Sequence, residues 1–200
     1  SVGLASAVSY LGALLLLEAY CRLAGRAEWQ GLLAGGLSYI ALGTFLGFAD
    51  DMLELRWRDK LLYPLLFSLG LALGYPGQHA VVLPGAVQRL VGLRAVWLGP
   101  LFPLYLLCLS LFCVNSINIY AGLSGLESGQ SLVVGLTLML DNLVGLAQGG
   151  ETAPHLHSLL LLAPFCAVSL PLLIFNRVER KTFVGDTYVY FAGCVIAYAA

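Results

Sequence analysis

Stretches of about twenty residues without a charge recur along this chain, and they decide what it can fold into. A bilayer core about 30 Å thick takes roughly 20 apolar residues at about 1.5 Å each. Seven segments come into question: Val2 to Cys21 (carrying Glu18), Gly31 to Ala49, Leu61 to about Leu83, Trp97 to about Asn118, Ser128 to Leu146 (carrying Asp141), Ser158 to Phe175, and Thr187 to Ala200, the last short of a full crossing. Lipid offers the backbone no hydrogen-bond partners, so runs of this length must be helices, and the ten-residue alternation of a barrel is absent. The expected fold is therefore all-α: a polytopic transmembrane bundle of about seven spans, forming one integral-membrane domain over residues 1–200. Glycines such as Gly35 and Gly36 fit close helix packing, and Pro100, Pro103, Pro164 and Pro171 fit local kinks.

Composition narrows the classes further. At 60% hydrophobic and 10% charged residues the chain is no soluble globule. A formal net charge of −1 leaves no basic surface for nucleic acid. The five cysteines lack metal-ligand spacing and read as small core residues. The first apolar run follows no basic segment and precedes further runs, so it is a span and not a secretory signal. With Ser1 in place of Met, and Ala200 inside an apolar run, both ends are expected to be cuts through a longer protein.

The connections differ in chemistry. After the second span comes Asp50-Asp51-Met-Leu-Glu54-Leu-Arg56-Trp57-Arg58-Asp59-Lys60; after the fourth, Asn115 to Glu127; after the sixth, Asn176 to Asp186. Two crossings separate each from the next, and two crossings return a chain to the side it left. All three polar segments must share one compartment. Six of the ten basic residues (Arg56, Arg58, Lys60, Arg177, Arg180 and Lys181) lie on that side, which the positive-inside rule assigns to the cytosol.

Each segment has a chemical and a bland reading. Asp50 and Asp51 follow nineteen charge-free residues and so sit at the membrane boundary; they are functional acids, or solvated residues capping the next helix. Lys60 adds a cation able to meet a phosphate. Asn115 and Asn118, three apart, share a helix face, and Gly122 and Gly125 let a backbone turn approach a ligand; alternatively the amides only join helices. Asp186 could ligate a metal or cap the last helix. Together they supply carboxylates, amides and a lysine, the groups needed for Mg²⁺-assisted handling of a diphosphate. His155 and His157 fall on the opposite face and read as a surface-loop pair. Glu18 and Asp141 either mark a pathway or lie at span ends. Tyr188, Tyr190 and Phe191 read as packing or interfacial aromatics. A transporter or channel subunit is the rival from another class, but its acids belong near mid-span.

The segments GFADDMLELRWRDK (Gly47 to Lys60), NSINIYAGLSGLESGQS (Asn115 to Ser131) and FVGDTYVYFAG (Phe183 to Gly193) resemble the polyprenyl-phosphate N-acetylhexosamine-1-phosphate transferases, in order and in spacing. Ala121 stands where bacterial relatives acting on undecaprenyl phosphate usually carry Asp, which together with LRWRDKLL favours the eukaryotic, dolichol-using branch over the bacterial one. The resemblance implies about the middle half of a ten-span enzyme, lacking a later cytosolic loop with a His/Arg cluster, so the piece alone is expected to be inactive. It implies transfer of GlcNAc-1-phosphate from UDP-GlcNAc to dolichyl phosphate in the endoplasmic reticulum membrane, from the cytosolic face; homodimerisation stays open. Carried over by position, Asn118 and Asp186 correspond to the Mg²⁺ ligands and Lys60 to the cation on the nucleotide diphosphate. Gly122 and Phe183 correspond to the uridine pocket, Trp57 to a wall of the sugar site, and Asp50 and Asp51 to a catalytic acidic doublet. Asn115 belongs to the same substrate-binding motif. Ser124 replaces an Asn commonly placed near uracil.

Overall fold

A computed structural model describes residues 2–75, 77–83, 85–178 and 184–200. Phe183, Arg180 and Lys181 lie outside these described residues. The long apolar runs are helices: α1 (Val2–Leu23), α2 (Ala27–Leu53), α3 (Trp57–Gly74), α5 (Phe102–Ile119), α6 (Leu126–Ala147), α7 (Thr152–Val178) and α8 (Gly185–Ala199). Five stretches, Val2–Leu23, Leu33–Leu53, Gly99–Ile119, Leu126–Ala147 and Thr152–Arg177, are long and apolar enough to cross a bilayer. The chain is a multi-pass membrane protein built as expected, although five such spans, and not seven, meet the criterion among the described residues.

Several boundaries depart from expectation. The third run stops at Gly74 and does not continue to Leu83, because Tyr75 precedes a proline and is extended (φ −66°, ψ 117°). Beyond it the chain makes a small antiparallel pair, β1 (Ala80–Val82) with β2 (Ala95–Trp97), bracketing the short helix α4 (Gly85–Val91). The pairing sets Ala80 opposite Trp97, so Trp97 belongs to a strand and α5 begins later, after a 3₁₀ turn at Gly99–Leu101. The second run, in contrast, extends beyond Ala49, and the acidic doublet lies inside the last turn of α2. That helix ends where Glu54 adopts a left-handed backbone (φ 49°), its N–H returning to the Asp50 carbonyl.

Helix α8 is the centre of the bundle and packs against α1, α2, α5, α6 and α7. Tyr188, Tyr190 and Phe191 are fully buried in it, so the aromatics pack inside the protein and do not face the interface. The exterior carries Leu16, Phe45, Leu73 and Leu140 exposed, as a lipid-facing surface requires. Within the membrane apolar burial gives little drive for helix association, so close backbone contact must supply it. Glycines of α2, spaced seven and four apart, make that contact: Gly36 faces the Tyr198 ring, Gly43 the Cys194 sulfur, and Gly47 the backbone of Asp186 and Thr187. A Cβ on Gly47 would lie 2.6 Å from the Asp186 carbonyl oxygen and 2.7 Å from the Thr187 Cα. Gly193 of α8 meets the Val114 backbone of α5 in the same way, at 2.5 Å. Since α2 meets the start of α8 at Gly47 and its end at Gly36, the two helices run antiparallel. A buried polar knot of Tyr39, Ser68 and Ser110 joins α2, α3 and α5.

Of the remaining sequence candidates, His155 and His157 lie in α7 and not in a surface loop. His155 meets Asn142 Oδ1 at 2.8 Å, and His157 is buried beside Tyr198. Glu18 is buried and paired with Arg22 one turn on, while Asp141 is exposed.

The glycine seam yields a paired prediction. Gly47→Ala should destabilise the detergent-solubilised protein by about 1–3 kcal/mol, since its methyl meets backbone and not a movable side chain. Gly70→Ala in α3, with open space around its Cβ, should be neutral or stabilising by up to about 1 kcal/mol. Thermal denaturation of both variants measures the difference.

Candidate functional site

The end of α2, the start of α3 and the start of α8 converge on one cluster of charges. Asp51 reaches from α2 to the N-terminus of α8, where its Oδ1 accepts the Asp186 N–H at 2.7 Å and its Oδ2 accepts the Thr187 N–H at 3.1 Å and the Thr187 hydroxyl. The first N–H groups of a helix have no intrahelical acceptor and carry partial positive charge, so a carboxylate there is doubly favoured. Residue Val184, at the cap position itself, offers no side-chain hydrogen bond. Asp51 is thus the cap of α8, supplied across 135 residues of chain. Gly185 allows the approach: its φ is +77°, and a Cβ there would stand 2.7 Å from Asp51 Oδ2.

Asp50 is committed differently. Its side chain is almost wholly buried, its Oδ1 accepts the Leu55 N–H at 3.0 Å, and its Oδ2 lies 2.7 Å from Lys60 Nζ. The first turn of α3 places Lys60 so that its ammonium also stands 3.7 Å from Asp186 Oδ2. Partial burial works against the Lys60 charge, yet Asp50 and Asp186 outweigh it and hold the ammonium above its ordinary pKa.

Asp186 is the carboxylate left over. Asp51 has taken the capping role, and Asp186 keeps a partly exposed side chain. Burial, with Asp50 and Asp51 nearby, pushes its pKa up to about 6 against the pull of Lys60. Beside it opens a cavity of about 230 Å³ lined by Ala121, Gly122, Glu127, Gly185, Asp186 and Val189, which brings the second motif to the third. One turn along α8, the buried Tyr190 hydroxyl lies within electrostatic reach of Asp50, Asp186 and Asn118 but makes no hydrogen bond of good geometry.

Asp50, Asp51, Lys60 and Asp186 are therefore joined directly. Gly122 adjoins them across the cavity, and Asn118 stands in the last turn of α5 near Tyr190 without a hydrogen bond of good geometry to the cluster. Asn115 turns away: its Nδ2 donates to the Leu111 carbonyl at 2.9 Å within α5. Trp57 is 70% exposed at the start of α3, and Ser124 is exposed on the α5–α6 turn; neither lines the cavity. Two residues escaped the sequence reading. Glu127 accepts the Gly122 N–H at 2.9 Å, and Asn176 accepts the Gly125 N–H. The available signal for Glu127 was an acid next to two glycines at the start of an apolar run.

A bundle whose three polar segments gather carboxylates, a lysine and a glycine turn at one end has the makings of a membrane-embedded transferase. Residues 33–200 match the model of glycosyl transferase family 4, and the chain belongs to that family. It is 38% identical to a UDP-N-acetylglucosamine--dolichyl-phosphate N-acetylglucosaminephosphotransferase of Dictyostelium discoideum, over all of this chain and 54% of the relative. Proteins of the same name from Saccharomyces cerevisiae and Leishmania amazonensis are 40% and 31% identical, covering 77% and 98% of this chain and 36% and 58% of theirs. The chain spans about half the length of the curated relatives it matches, or less.

The raised pKa of Asp186 carries a stability prediction. A folded state that binds the proton more tightly than the unfolded chain loses stability as pH rises from the ordinary carboxylate range through about 6. Above pH 6 the ionised Asp186 opposes folding. Asp186→Asn should therefore melt no lower, and at pH 8 higher, than the parent protein. Asp51→Ala, which strips the cap from α8, should lower stability by about 1–2 kcal/mol. Melting curves at pH 5 and pH 8 give both signs.

Proposed function

We propose that the protein containing this chain transfers GlcNAc-1-phosphate from UDP-GlcNAc to dolichyl phosphate, giving GlcNAc-diphosphodolichol and UMP. The observation that carries the reading is Asp186: a half-buried carboxylate relieved of its capping duty, facing a cavity beside a lysine. Ala121, in place of the Asp of undecaprenol-using relatives, favours dolichol as acceptor.

Charge balance supports a divalent cation. Three aspartates and one lysine leave the cluster at net minus two, a setting that would repel both a nucleotide diphosphate and a lipid phosphate. Asp50 and Asp51 are occupied by Lys60 and by α8 and Glu127 by the Gly122 N–H, so the cation is assigned to the Asp186 carboxylate and the Asn118 amide, with the Tyr190 hydroxyl unpartnered nearby. Among the described residues no three His, Cys, Asp or Glu side chains gather as a metal cage. A sparse set of hard oxygens fits Mg²⁺, which keeps waters and takes substrate phosphates as ligands. Asn118 and Asp186 would hold it, and once bound it supplies charge neutralisation at the diphosphate.

The chain's own groups do the remainder. Lys60, oriented by Asp50, meets the diphosphate as a fixed positive charge. Asp51 holds the start of α8, and with it Asp186, at constant distance from α2. Gly122 opens the cavity wall to the nucleotide. An oxygen of dolichyl phosphate attacks the sugar-linked phosphorus in line, and the bond from that phosphorus to the oxygen of UMP breaks. A phosphate already ionised near neutral pH needs no obligatory base, so the aspartate doublet positions and does not deprotonate. The site faces the cytosolic side of the endoplasmic reticulum membrane, and full turnover requires more of the relatives' length than this chain spans.

Two experiments test the reading. With full-length protein in microsomes, radiolabelled UDP-GlcNAc and dolichyl phosphate, Asp186→Asn should cut turnover at least about 100-fold. Lys60→Met should mainly raise the KM for UDP-GlcNAc. Near-normal activity of Asp186→Asn would overturn the assignment. For topology, cysteines placed at Arg58 and Ser124 should react with an impermeant thiol reagent from the cytosolic side and one at Gln148 from the lumenal side; opposite labelling of Arg58 and Ser124 would break the shared site.

A further inference from the structure

The turn between α5 and α6 has no regular backbone ladder to hold it, yet it forms one wall of the cavity. Gly122 has φ +126° and Gly125 φ +84°, conformations that side chains rarely adopt. A turn of this kind has few intrinsic restraints. Apart from two turn bonds, Ala121 N–H to the Asn118 carbonyl and Leu126 N–H to the Leu123 carbonyl, the restraints come from two side chains outside it. The Glu127 carboxylate, 8% exposed in the first turn of α6, folds back so that Oε1 accepts the Gly122 N–H at 2.9 Å. The Asn176 side chain, 5% exposed near the end of α7, accepts the Gly125 N–H from a different helix. Each glycine N–H is thus tied to a buried acceptor, one at either end of the stretch that carries Ser124.

Glu127 is an unusual choice for a mere structural tie. It lines the same cavity as Asp186, so the site carries one more carboxylate than catalysis of an anionic reaction favours. A neutral acceptor would hold the N–H at lower electrostatic cost. What a carboxylate adds is a stronger, charge-assisted hydrogen bond to a backbone that must keep one conformation.

We infer that Glu127, assisted by Asn176, is a positioning residue that clamps the Gly122–Gly125 turn and thereby sets the affinity for the nucleotide half of the donor. The inference rests on the proposed reading of Gly122 as part of the nucleotide pocket. Glu127 touches neither reacting phosphate; it acts through the Gly122 backbone. Its loss should register in donor binding and leave the lipid acceptor unaffected.

The test uses full-length enzyme with UDP-GlcNAc and dolichyl phosphate varied separately, and hydrogen–deuterium exchange across residues 119–126. Glu127→Ala removes the acceptor and should raise the KM for UDP-GlcNAc about tenfold, with kcat and the acceptor KM within about threefold. Exchange of the turn should quicken. Glu127→Gln keeps an acceptor oxygen and should restore the donor KM to within about threefold of the parent value. An unchanged donor KM and unchanged exchange in Glu127→Ala would overturn the inference, as would equal losses in kcat and in both KM values. If Glu127→Ala does not accumulate, Asn176→Leu against Asn176→Asp carries the same comparison from α7. Parent enzyme that fails to use UDP-GlcNAc, yet shows the exchange difference, would strike down the functional reading and the nucleotide role together, leaving only a structural clamp; normal parent turnover with a null Glu127→Ala would strike down the clamp alone.

Discussion

Everything at the polar end of this bundle depends on one carboxylate gripping the start of a helix. Asp51 satisfies two N–H groups of α8 that have no acceptor within their own helix, and it can do so because glycines on both sides remove the atoms that would stand in the way. The contact fixes α8 axially against α2. It also relieves Asp186 of the structural task that its position at a helix start would otherwise impose. A site that needs an ionisable group kept available must satisfy the local backbone by other means, and here the adjacent aspartate of another helix does so.

The same contact orders the electrostatics. Asp50, next in sequence to Asp51, necessarily projects in another direction from α2 and finds Lys60. The doublet thereby divides: one member organises backbone, the other organises a cation. Neither is spare, and the remaining negative charge falls on Asp186, whose pKa is raised by burial first and by the neighbouring aspartates second. The folded chain thus holds a charge state that it does not favour, and stability is given up at this end of the bundle.

Much of this was legible from the residues. Charge-free runs gave the helices because lipid allows the backbone little else, and counting crossings placed three distant segments on one side before any contact was known. Other features had no such signal. The early end of α3 and the hairpin after it lay hidden in an apolar stretch whose composition resembles a span. The division of labour between Asp50 and Asp51 could not be read, because the partners of Asp51 are mainly backbone groups, which every residue possesses. Glu127 looked like an ordinary acid at a helix start, since its target is an amide five residues back, on glycine. Sequence shows which chemistry is present; it shows poorly which groups are already occupied.

The three-residue joint from Glu54 to Arg56 between α2 and α3 has one more consequence. It is short, it begins with a left-handed residue, and it separates Asp50 from the lysine it confronts. One added residue would give about 3.8 Å of slack, more than the 2.7 Å between Lys60 and Asp50. Exchanging side chains within the joint leaves the ion pair in reach, whereas changing the number of residues moves Lys60 relative to Asp50. At this joint the number of residues, as much as their identity, holds the charge cluster together.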